Sequence, residues 1–118
     1  MDQIRIHRRP GKLATTTVLE LTGPLTLRTL VDVQGALREP GYTDTILDLS
    51  EVPFIDSAGL GAIINQSERA RKAGEKFAVV GASERVQALF KLTKVDTLLP
   101  IYATSEEGER SFAAKTTP

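Results

Sequence analysis

Apolar and polar residues alternate at the start of the chain, with Ile4 and Ile6 set between Gln3, Arg5 and His7, the pattern of a half-exposed strand. Arg9-Pro10-Gly11-Lys12 reads as a turn, because proline presets its own φ and glycine tolerates positive φ. Thr15 to Leu21 is rich in β-branched residues and predicts a second strand, so the chain opens as a β-hairpin that Gly23-Pro24 ends. Leu27, Leu30, Val31 and Leu37 then recur at helical spacing, and Pro40-Gly41 predicts a stop near Glu39. Thr45 to Leu49 is short and mostly apolar, which suits a strand covered on both faces in a parallel sheet.

After Pro53-Phe54-Ile55-Asp56-Ser57 a second helical pattern begins, with Leu60, Ile63 and Ile64 on one face, Ala70 further along and a stop at Ala73-Gly74. Phe77 to Val80 predicts another buried strand, closed by Gly81. Ser83 is placed to cap a third helix with Val86, Leu89 and Phe90 as its apolar stripe. Leu99 to Tyr102 predicts the last strand, and Ser105-Glu106-Glu107 opens a final helix whose early acids complement its dipole. Residues 113–118 are expected to form a frayed, disordered tail. Strands alternating with helices imply parallel pairing through right-handed crossovers. The expected fold is thus α/β, one domain over residues 1–118, with a mixed, largely parallel sheet of about five strands, about four helices and an N-terminal β-hairpin.

Composition narrows the function. Hydrophobic residues at 41% suffice for a core, and 15 basic residues balance 15 acidic ones. A nucleic-acid partner is not expected, since such binders carry a basic excess or stripe. Arg69, Arg71 and Lys72 stand beside Glu68 and Glu75, the pattern of a solvated helix face. With no cysteine, disulfides, thiolate chemistry and cysteine zinc sites are excluded. No apolar run reaches bilayer length and the N-terminus lacks a signal-peptide core, so a cytoplasmic protein without membrane insertion is expected.

Residues 53–61 carry the candidate chemistry, because ligands of open α/β sheets meet the loops between strand ends and helix starts. Ser57 falls near the start of a helix, where a serine ordinarily serves only as a cap. Asp56, however, is itself a good cap, and Ala58, Gly59 and Gly61 are small enough to leave the Ser57 hydroxyl accessible. The two glycines serve either close approach by a partner or tight packing of the helix on the sheet. Enzyme readings find little support. A nucleophile elbow needs glycine at position 55, which is Ile, and the single histidine, His7, falls in the hairpin. A dinucleotide fingerprint needs glycine at position 64, also Ile, and no phosphate-binding Gly-Lys-Ser/Thr follows. No enzyme activity, cofactor or metal is expected.

The run from Ile46 through Asp48, Pro53, Asp56-Ser57-Ala58-Gly59 to Gly61 resembles the signature of the STAS family, which comprises anti-sigma factor antagonists and cytoplasmic domains of sulfate transporters. The similarity continues through Lys72-Ala73-Gly74, Phe77 to Gly81 and Leu92 to Asp96. The resemblance implies an anti-sigma factor antagonist that regulates transcription, with Ser57 phosphorylated by an anti-sigma factor that is also a serine kinase of the histidine-kinase-like ATPase fold. The unphosphorylated form would bind that partner, the phosphorylated form would be released, and a serine phosphatase would be a further partner. The resemblance also implies a binding surface of Asp56, Ser57, Ala58, Gly59, Leu60 and Gly61 with Leu25 and Thr26 of the preceding loop, on a monomer or weak homodimer. Thr26 stands where many antagonists carry aspartate in a loop that meets the kinase, and it is also suited to capping the first helix. The alternative the family offers is an accessory subunit of a membrane transport complex or stress-signalling assembly that binds without phosphorylation.

Overall fold

The structure, a computed structural model, describes residues 3–39 and 43–115. Strands β1 (Arg5–Pro10) and β2 (Thr16–Thr22) form the opening hairpin. Helix α1 (Leu30–Leu37), β3 (Asp44–Glu51), α2 (Ser57–Ala73), β4 (Phe77–Val80), α3 (Glu84–Leu92), β5 (Ile101–Tyr102) and α4 (Ser105–Lys115) follow. The five strands form one sheet in the order β1-β2-β3-β4-β5, antiparallel between β1 and β2 and parallel elsewhere.

Two-residue alternation divides the core between the faces of this sheet. Leu19, Leu47, Leu49 and Val79 pack with Val33 of α1, Ile63 of α2 and Phe90 of α3. Val18, Ile46, Ala78 and Val80 point the other way and pack with Phe112 of α4. Both faces of the inner strands are therefore covered, which is why Thr45 to Leu49 reads as a nearly continuous apolar run. Because strand order equals chain order, the three parallel crossovers bring α1, α2 and α3 to one face and set their N-termini at the same end of the sheet.

Local signals set most element ends. Gly74 adopts φ +73 and stops α2. Ser83 caps α3, its hydroxyl accepting from Val86 N at 3.2 Å. Thr104, one residue ahead of α4, accepts from Glu107 N at 3.2 Å.

Three expectations need correction. Helix α1 starts at Leu30, after residues 26–29 have wound into a turn closed by Thr29 N donating to Thr26 O at 3.0 Å. The helical phase therefore differs from the apolar spacing: Val33 enters the core, while Leu27 and Val31 stand 70% and 76% exposed. The last strand is only Ile101–Tyr102, because a single 3-10 turn at Val95–Thr97 precedes it and Leu99 is drawn into the core ahead of the pairing. Helix α4 runs to Lys115, past the start of the expected tail. Residues 116–118 and the expected Pro40-Gly41 stop lie outside the described residues.

Candidate functional site

Strands β2 and β3 end side by side, and the loops beyond them stay paired. Leu25 N donates to Phe54 O at 3.1 Å and Asp56 N donates to Leu25 O at 3.2 Å, a short parallel bridge between Leu25 and Ile55. This bridge lays the loop before α1 against the loop before α2.

Asp56 completes the joint. Its backbone is extended (φ −93, ψ −177) and it caps α2, with one carboxylate oxygen accepting from Gly59 N at 2.8 Å. The other oxygen accepts from Leu27 N at 3.1 Å. One carboxylate thus satisfies a free N–H at the helix start and fastens the neighbouring loop. These donors, Gly59 N–H first and Leu27 and Ala58 N–H after it, favour the anion and hold Asp56 below the usual aspartate pKa.

With the cap supplied by Asp56, Ser57 is the first residue of α2 and is exposed, and its hydroxyl makes no hydrogen bond to any described residue. The hydroxyl is available to a partner instead of being spent on the helix. Ala58 and Gly61 are half-buried beside it, and a side chain built on Gly61 would meet nothing within 4 Å.

The other expected surface residues divide differently. Leu25 is fully buried, and it acts from beneath by pairing with the Ser57 loop rather than by presenting a side chain. Leu60 is 9% exposed and belongs to the core. Gly59 is a packing glycine: a Cβ there would lie 2.3 Å from Leu25 O and 3.0 Å from Ile55 Cγ2. Thr26 sits half-buried in the turn, where its hydroxyl accepts from Arg28 N at 3.3 Å. Thr26 caps this turn rather than α1, whose own N-cap position is Thr29.

Leu27, Val31 and Phe54 were not singled out as surface residues by the sequence pattern. Phe54, in the loop leading to Ser57, is 37% exposed with the Arg85 guanidinium of α3 5.5 Å from its ring centroid, within cation–π range. Leu27 and Val31, four residues apart, belong to the apolar spacing that predicts the first helix, and both are exposed. The hairpin's His7 is 72% exposed and 4.0 Å from Glu20. Among the described residues no group of histidine, cysteine or carboxylate side chains is arranged to hold a metal, and no helix is long and apolar enough to cross a membrane.

The sequence profile of the STAS domain matches residues 4–108. The chain belongs to the STAS domain family. Among its relatives is a Thermotoga maritima protein to which an anti-sigma factor antagonist role is ascribed, 39% identical over 75 residues, 64% of this chain and 66% of that one. A Thermotoga neapolitana homolog is 39% identical over 67 residues, 57% of this chain and 59% of its own length, so this chain spans less than two thirds of either Thermotoga protein. The anti-sigma-B factor antagonist of Staphylococcus aureus is 27% identical over 96 residues, 81% of each chain. In three dimensions the unphosphorylated Bacillus antagonist SpoIIAA superposes with a TM-score of 0.72 at 18% identity, over 93% of this chain and 97% of that one. Its phosphorylated form gives 0.65 at 17% identity, over 92% and 99%.

Within this STAS domain the Asp56-Ser57-Ala58-Gly59 run separates three tasks: Asp56 caps and clamps, Ser57 is left free, and Gly59 lets the helix start sit against Leu25. Substituting Asp56 by alanine is expected to cost about 1–2 kcal/mol at neutral pH, the usual range for a lost cap. Because the folded pKa lies below the unfolded value of about 3.9, the carboxylate stabilises the fold above that value and the contribution is lost as pH falls through the folded pKa. Urea melts of wild type and Asp56→Ala from pH 7 to pH 2.5 should therefore converge at the acid end, and a gap independent of pH would refute the clamp.

Proposed function

We propose that this STAS domain is a phosphorylation-controlled anti-sigma factor antagonist. Unmodified, it binds an anti-sigma factor that is also a serine kinase of the histidine-kinase-like ATPase fold, and so frees a sigma factor. The kinase transfers the γ-phosphoryl group of ATP to the Ser57 hydroxyl, and the phosphorylated protein is released until a serine phosphatase restores it. The names of the Thermotoga and Staphylococcus relatives support the antagonist role, and SpoIIAA is a structurally similar protein solved in both phosphorylated and unphosphorylated forms.

The observation that carries this reading is the exposed Ser57 hydroxyl, unbonded to any described residue, at the start of a helix whose cap is supplied by its neighbour. A phosphoryl group adds about −1.5 to −2 charges at neutral pH. The free N–H groups and dipole of the α2 N-terminus tolerate an anion there, so the fold is spared. Against a partner the same group is costly, because it must be desolvated beside the ionised Asp56.

The test is to incubate the protein with the purified serine-kinase anti-sigma factors of its source organism and ATP, then map the phosphosite by mass spectrometry. Phosphate on Ser57, and none on Ser57→Ala, is expected; phosphate elsewhere, or an unchanged yield from Ser57→Ala, would overturn the reading. Thr26 favours a second reading, since its hydroxyl is engaged in the turn where many antagonists carry aspartate. On that reading the same face holds a component of a transport or stress-signalling assembly without phosphorylation, and capture of a transporter ATPase in place of a kinase would establish it.

A further inference from the structure

Helices α1 and α2 lie side by side on one face of the sheet, and a cleft of about 270 Å³ runs between them. Gln34 of α1 and Arg38, the residue just after it, line one side, and Asn65, Arg69 and Lys72 of α2 the other. Helical periodicity extends both walls toward Ser57. Val31 precedes Gln34 by three residues and Arg38 by seven, so it continues the α1 wall, while Leu27 lies in the turn ahead of the helix, its N–H bonded to the Asp56 carboxylate. Gly61 precedes Asn65 by four and continues the α2 wall, where the space around it is open.

The groove changes character along its length. Outside the residues that line the cleft, on the side toward Ser57, stand the exposed Leu27 and Val31 and the small Ala58 and Gly61. Amide side chains occupy the middle. The far end is basic: Arg69 and Lys72 follow Ser57 by twelve and fifteen residues, about 18 and 22 Å along the helix axis. The one acid lining the cleft, Glu68, is held by Arg71 at 2.9 Å. Glu39, held by Arg8 at 3.0 Å, and Glu75 line the adjoining depression together with Arg38, Arg69 and Lys72. Arg38, Arg69 and Lys72 have no ion pair among the described residues.

An apolar end beside Ser57 and, about 20 Å away, a predominantly basic end whose Arg38, Arg69 and Lys72 make no ion pair among the described residues describe a complementary occupant. We propose that the α1–α2 groove seats an amphipathic segment of the anti-sigma partner, with aliphatic side chains on Leu27, Val31 and Gly61 and carboxylates at Arg38, Arg69 and Lys72. This rests on the reading of Ser57 as the partner-binding switch and adds the partner's chemistry to it. The basic end lies too far from Ser57 to take part in phosphoryl transfer, and it contributes orientation and association rate. The apolar end sets the lifetime of the complex.

The test is surface plasmon resonance against the purified serine-kinase anti-sigma factors of the source organism at 0.05 and 0.5 M salt, using wild type, Val31→Ser, the double variant Arg69→Glu/Lys72→Glu, and Ser57→Asp. All the substituted side chains are exposed, so thermal melts should match wild type. The double variant is expected to bind at least tenfold more weakly at low salt, through slower association, and to lose most of the wild-type salt dependence. Val31→Ser is expected to bind at least tenfold more weakly at both salt concentrations, through faster dissociation. If both groove variants bind within twofold of wild type while Ser57→Asp does not bind, the groove proposal fails and the Ser57 reading stands. If wild type binds none of the kinases, or Ser57→Asp binds as wild type does, the Ser57 reading fails and the groove proposal with it.

Discussion

Replacing Ser57 with aspartate is expected to weaken binding to the proposed anti-sigma partner on the order of a hundredfold, the range seen when a charge is left buried and unpaired in an interface. The same change should alter folding stability by about 0.5 kcal/mol or less, as exposed substitutions usually do. The two expectations come from one geometric fact. The α2 cap is the Asp56 carboxylate, 2.8 Å from Gly59 N, and the Ser57 side chain holds nothing in the fold. A negative group at the first helical position also interacts favourably with the dipole, by about 0.3–1 kcal/mol. Titration calorimetry against the kinase, paired with urea melts, separates the two effects. A stability loss of about 2 kcal/mol, as for a removed cap, would mean that Ser57 serves the helix and not a partner.

Gly59→Ala is expected to destabilise the protein by about 2–3 kcal/mol, the upper range for overpacking a tight contact. The added Cβ would lie 2.3 Å from Leu25 O, a backbone atom that also accepts the Asp56 N–H, so it cannot withdraw without breaking the bridge between the two loops. Two residues on, Gly61→Ala should do the reverse and stabilise by about 0.5–1 kcal/mol, because the site is open and alanine favours the helix. Chemical denaturation of both variants checks the pair. Equal effects would show that the loop before α1 is not pressed against the start of α2.

Much of this arrangement is legible in the residues. Gly74, Ser83 and the β-branched run of β2 each carry a strong local signal, and each lies where that signal puts it. The Asp56-Ser57 helix start is legible for the same reason, since the capping preference is local. What escapes the sequence depends on contacts between segments distant in the chain. The burial of Leu25 follows from its bridge to Ile55, thirty residues on. The glycines at 59 and 61 look alike in sequence, and only the position of Leu25 O makes one indispensable to packing and the other free. The apolar spacing of Leu27, Leu30, Val31 and Leu37 fits a helix, but the turn at residues 26–29 delays the helix and leaves Leu27 and Val31 outside.

As proposed, a phosphoryl group on Ser57 controls partner binding without unfolding the protein. The most direct test compares the unmodified protein with the same protein stoichiometrically phosphorylated on Ser57, each titrated into the purified kinase and each melted in urea. The expected result is a loss of affinity on the order of a hundredfold with superimposable melts. Equal affinities of the two forms would contradict the account.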